Sequence, residues 1–147
     1  MASLETILQQ AATGHTELVA ALTNAQAGCP VSASVASQEI ASVVGNRGAA
    51  LRQLVALPVA ADPVSASLRT VLAQALQASA EADAYYEAWT ASLAAAAPGC
   101  AAGEATADYA AARQEDAAAT DFKDEFVAGF NPVAASAGLS TWAPTDF

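Results

Sequence analysis

Four polar side chains stand where the apolar rhythm of this chain calls for large hydrophobic residues: His15, Arg47, Asp116 and Lys123. An imidazole, a guanidinium, a carboxylate and an ammonium are groups that pair charges, move protons or hold an anion. Their spacing restricts that chemistry. His15 is the only histidine, which excludes the paired Glu-x-x-His motifs of di-iron bundles. Thr13 is the nearest hydroxyl on its N-terminal side, but residues two apart on a helix face different ways, so no nucleophile–base pair is readable. Asp121, Asp124 and Glu125 lack the spacing of an EF-hand loop. There is no P-loop, no glycine-rich dinucleotide turn, no Gly-x-Ser-x-Gly and no Cys-x-x-Cys-His. No catalytic residue, cofactor or metal is expected.

The elements that position these groups read as helices. The first starts after Ser3 as N-cap, carries Leu4, Leu8, Ala11, His15, Leu18, Leu22 and Ala25 at heptad-like steps, and stops at Gly28. The second begins near Ser32 or Ser34, with Ile40, Val44, Arg47, Leu51 and Leu54 in register, and ends before Pro58. Asp62 as N-cap and Pro63 at the first helical position open the third. Its stripe is Val64, Leu68, Val71, Ala75, Ala82, Tyr86, Trp89 and Leu93, and "PGCAAG" ends it. The fourth runs from about Glu104 to Phe130, with Tyr109, Ala112, Asp116, Ala119, Lys123, Phe126 and Phe130 in line. "NPVAASAGL" reads as one more short turn, capped by Asn131, opened by Pro132 and closed by Gly138. Residues 140–147 carry no helical signal. Short connections and the absence of strand alternation predict one all-α domain over 1–147, an up-down-up-down four-helix bundle with a short extra helical turn and an extended tail. Alanine-rich faces should let its helix axes approach to about 8 Å.

Cys29 follows the first helix and Cys100 the third, so an up-down-up-down path brings both to one pole, 71 residues apart in sequence. Flanking Gly and Pro place them on turns whose backbones can adjust to disulfide geometry. Such a bond would stabilise by about 4 kcal/mol. It implies an oxidising compartment, hence secretion or the outer face of a membrane; the alternative is two free thiols. The clasp also sets heights. His15 lies 14 residues below Cys29 and Tyr86 lies 14 below Cys100, which makes them level at about 1.5 Å per residue. Counting from the upper starts of the second and fourth helices brings Arg47 and Asp116 to the same height. The expectation is a buried or half-buried polar layer of His15, Arg47, Tyr86 and Asp116, with Arg47 paired to Asp116. That layer is an internal network fixing register, a set of side chains reaching solvent, or a ligand pocket.

The totals bound the partners. The net charge is −10, from fifteen acids and five bases, with eleven of the acids from Glu81 onward. Such a surface repels phosphate backbones and anionic lipid, so neither nucleic acid nor a membrane surface is an expected partner. No apolar run approaches the roughly 18 residues of a membrane span. "MASLET" lacks the basic start and apolar centre of a signal peptide, so either the protein is cytosolic or a leader or anchor has been removed; the cysteines favour the second. Leu, Ile, Val and Phe make only about a fifth of the chain, a core lean enough to benefit from a covalent staple.

The chain also resembles a group of small alanine-rich actinobacterial proteins and domains that are exported or membrane-anchored. The matching features are a cysteine after the first helix, "LRQLVALPV", "ASAEADAYYEAW" before a Gly-Cys turn, and "FKDEFVAGFNPVAASAGL". Phe130 stands where similar chains often carry Trp. The resemblance implies export and a helical fold, and it transfers no catalytic residue.

All nine aromatic residues lie in the second half. Phe126, Phe130 and Trp142, with Val133 and Leu139, are expected to form an aromatic cap at the lower pole, either a plug for the core or an exposed patch that binds a partner. The functional expectation is a non-enzymatic extracytoplasmic domain that binds a protein or small ligand as a sensor or accessory module. The alternative is a structural cell-envelope protein with no ligand site.

Overall fold

A computed structural model describes residues 2–27, 31–58, 63–96 and 106–147. Among the described residues the chain forms four helices, α1 (Ala2–Ala27), α2 (Val31–Ala56), α3 (Pro63–Ala95) and α4 (Ala107–Ser136), and a 3₁₀ turn at Pro144–Asp146, with no strand. Cys29, Cys100, Gly28, Asp62 and the "PGCAAG" turn lie outside the described residues, and with them the expected disulfide and the expected Asp62 cap.

α1 packs on α2, α2 on α3, and α3 on α4. Neighbours are antiparallel. Gln10 Nε2 donates to the Asn46 carbonyl at 3.1 Å, Arg47 reaches Asp83, and Tyr86 reaches Asp116. Small residues permit this closeness: a Cβ on Gly14 would lie 3.6 Å from Val43, and one on Gly129 only 2.9 Å from Leu68. The fourth edge of the bundle, α1 against α4, lacks the close backbone approach of the other three. The tail packs on α4 and shares one cavity lining with His15 and Leu18 of α1.

The core is two apolar clusters. The lower one gathers Ile7, Leu8, Leu54, Leu72, Leu76, Phe126, Phe130 and Phe147. The upper one joins Ile40, Val43, Tyr86, Trp89 and Leu93 to a set of buried alanines that includes Ala21, Ala33, Ala36, Ala82 and Ala112. Burying large apolar side chains of this kind stabilises by about 1.5–3 kcal/mol each. Among the described residues five polar ones are also buried: Arg47, Ser79, Asp83, Thr90 and Lys123. Thr90 is satisfied by its own helix, through the carbonyls of Tyr86 and Glu87. The other four belong to neither apolar cluster.

Several boundaries differ from the sequence reading. Ser3 lies inside α1, and α2 begins at Val31. α4 starts later than expected, with Thr106 as N-cap accepting from the Tyr109 backbone N–H at 3.2 Å. The separate turn expected at 131–138 does not form. α4 continues through Asn131 and Pro132 to Ser136. A proline inside a helix removes one hydrogen bond and costs about 3 kcal/mol or more. The helix carries that cost because Phe130 and Ala134, on either side of the proline, are both fully packed in the lower core. The Asn131 side chain, released from capping, holds the tail: its Nδ2 donates to the Trp142 carbonyl at 2.8 Å and its Oδ1 accepts from the Trp142 N–H at 3.0 Å. Gly138, two residues past the end of α4, closes the helix with φ +69°. There the Leu139 N–H bonds the Ala134 carbonyl and the Gly138 N–H bonds that of Ala135, a Schellman closure.

Candidate functional site

Between the helices lies a cavity of about 270 Å³, lined by residues of all four helices and the tail. Leu18, Arg47, Ser79 and Lys123 form its buried floor. His15, Asp116 and Pro144 are half-buried at its walls, and Arg113, Ala117, Thr120 and Thr145 form the exposed rim. Three of the four residues expected to share a polar layer line this space: His15, Arg47 and Asp116. Tyr86 stands behind it and donates its hydroxyl hydrogen to Asp116 Oδ2 at 2.6 Å. Burial, and after it that bond, raises the phenol pKa.

The expected Arg47–Asp116 pair does not form. Arg47 Nε pairs with Asp83 Oδ2 at 2.5 Å, with both side chains essentially without solvent exposure. α3 is the immediate neighbour of α2, so Asp83 is the nearer carboxylate. Burial pushes the Asp83 carboxyl pKa up, and the charge and hydrogen bond of Arg47 oppose that. Asp116 instead faces Arg113 on its own helix, 3.8 Å away at the exposed rim, where such a pair contributes little.

Lys123 is the cation left over. It is 7% exposed. No ion pair forms to it among the described residues, and its ammonium lies 5.5 Å from the centre of the Phe147 ring. Burial, then the nearby Arg47 charge, lowers its pKa to about 8. His15 is likewise lowered, by burial first and then by the charges of Lys123 and Arg47, which keeps the imidazole neutral at pH 7. Two buried polar atoms among the lining residues have no hydrogen-bond partner: Arg47 Nη1 and Ser79 Oγ. Buried groups of this kind are nearly always bonded, and an unmet one costs about 1–3 kcal/mol.

Sequence reasoning missed Asp83 and Ser79. Both sit at four-residue steps on the buried face of α3, along Ala75, Ser79 and Asp83. The signal was a short polar pair replacing the stripe between Ala75 and Tyr86; an acid in a strongly acidic half reads as surface. Phe147 was also missed as a core residue.

The three aromatics expected at the lower pole do gather. Phe126 and Phe130 stack with ring centres 5.1 Å apart. Phe147, fully buried, meets Phe126 edge-on at 6.0 Å and Trp142 at 6.2 Å. Phe126 and Phe130 present no surface to a partner, and Trp142 is half-buried.

Among the described residues no cluster of three potential metal ligands occurs, and no helix is long and apolar enough to cross a membrane. No family model, no curated protein and no solved structure matches the chain.

Proposed function

We propose that this protein is a non-enzymatic binding domain that takes a small ligand into the polar cavity between its helices. The observation that carries this reading is the pair of unmet buried groups, Arg47 Nη1 and Ser79 Oγ, on residues lining that cavity. A ligand offering acceptors there would satisfy both. Catalysis is not part of the reading, which rests on the two unmet donors. The address is proposed from the sequence: Cys29 and Cys100 joined as a disulfide, in an exported or membrane-anchored protein.

A thermal-shift screen of small molecules tests the binding reading. A ligand of the cavity raises the melting temperature saturably with concentration. Ala117→Trp, which fills the mouth from an exposed position, should abolish that shift without unfolding the protein. An empty screen, together with a crystal structure in which ordered waters satisfy Arg47 and Ser79, would overturn it in favour of a purely structural domain. Mass spectrometry of unreduced protein tests the clasp: two sulfurs open to alkylation would remove the basis for export.

A further inference from the structure

From the distribution of charge we infer that the cavity is a site for a small monoanionic carboxylate. This rests on the reading that the cavity takes a small ligand. The chain carries fifteen acids against five bases, yet three of the five bases, Arg47, Arg113 and Lys123, line this one space. Random placement on so acidic a molecule does not concentrate cations this way. The pairing within the cluster then fixes the charge of the occupant. Arg47 is neutralised by Asp83, and Arg113 faces Asp116. Among the described residues Lys123 has no carboxylate within ion-pair distance, so the lining together with Asp83 beneath it is short of one negative charge.

A buried cation without a counter-ion is disfavoured by desolvation and gains most from a matching anion. A single carboxylate supplies one charge and two acceptor oxygens. The unmet donors on the lining residues are Arg47 Nη1 and Ser79 Oγ, and Lys123 lines the same space. A doubly charged phosphate would leave one charge in excess beside Asp116, in a molecule of net charge −10. The volume, about 270 Å³, equals that of roughly nine waters at about 30 Å³ each. That admits a carboxylate on a small organic body. Leu18, Ala117 and Pro144 offer that body apolar contact.

The test uses the whole purified chain, with calorimetric titration of benzoate, its neutral isostere benzamide, and the dianion sulfate at pH 7 and constant ionic strength. Benzoate is expected to bind at least tenfold more tightly than either of the other two, and to shift the backbone amide resonances of Ser79 and Thr120. Lys123→Met should bring benzoate down to the level of benzamide, while Lys123→Arg should keep the preference. Benzamide binding as tightly as benzoate, sulfate binding more tightly, or an unchanged preference in Lys123→Met would each overturn the carboxylate assignment and leave the cavity reading standing. Failure of all three probes while the wider screen places a neutral ligand in the cavity overturns the assignment alone. Failure of the probes and of the screen together overturns both.

Discussion

Arg47 and Asp83, 36 residues apart in the chain, meet through Nε and Oδ2 and tie α2 to α3 at the level where the apolar core is interrupted. Breaking such a buried pair from one side leaves a bare charge, and that is more damaging than removing the pair whole. Asp83→Ala should therefore cost about 3–5 kcal/mol, and Arg47→Leu a comparable amount. The double variant Arg47→Met with Asp83→Leu should recover most of that loss. Urea unfolding of the three variants measures it. Full stability in Arg47→Leu would show that the pair does not hold the helices together.

Lys123 gives stability a pH dependence of definite sign. Its pKa is about 8 in the folded chain against an ordinary 10.5. Between those values the unfolded chain binds more protons, so stability rises with pH across that window and is lost as pH falls through about 8. The Tyr86 phenol acts oppositely, since its pKa is raised above the usual 10.0 and favours the folded state less as pH climbs past that value. Denaturation at about pH 7.5 and about pH 9.5 should therefore show greater stability at the higher pH. Lys123→Met should remove this difference and be more stable at pH 7 by about 1–3 kcal/mol.

The tail is expected to behave as part of the core. Phe147→Ala empties a fully buried site against Phe126 and should cost about 3 kcal/mol. For a chain of this length that lowers Tm by roughly 6–12 °C. Asn131→Ala removes both bonds to Trp142 and should cost about 1–2 kcal/mol. Removing residues 140–147 without a change in Tm would refute the plug.

Three glycines separate backbone effects from packing. Gly45 sits mid-helix with nothing within 4 Å of an added Cβ, so Gly45→Ala should stabilise by about 0.8–1 kcal/mol. Gly129→Ala has the same helical advantage but must displace the Leu68 methyl, 2.9 Å away, and should come out near neutral. Gly138, at φ +69°, should lose about 1–2 kcal/mol as alanine. Thermal unfolding of the three, compared under one condition, reads the order directly.

Helix number, helix type and the polar interruption were legible because periodicity reports which face is buried. His15, Arg47, Asp116 and Lys123 announced themselves by breaking that periodicity, and all four line one cavity. What the rhythm could not supply was pairing. Stripe positions give heights along a helix, whereas the choice between Asp83 and Asp116 for Arg47 depends on which helices are lateral neighbours. Pro132 misled for a related reason: local rules place it at a helix start, and burial of Phe130 and Ala134 overrides them. Phe147 has no periodic partner at all, since it reaches the core from a non-helical tail. The fate of Cys29 and Cys100 rests on the sequence, because both fall outside the described residues.

The wide seam between α1 and α4 bears on how the molecule is made. The other three junctions join helices adjacent in the chain and are available as soon as each helix leaves the ribosome, in the N-to-C order usual for synthesis. At the lower end of the α1–α4 junction, Phe147 sits against Phe126 in a cluster that also contains Ile7 and Leu8. Until that ring has emerged, the lower half of the nascent protein carries an open apolar slot beside Phe126.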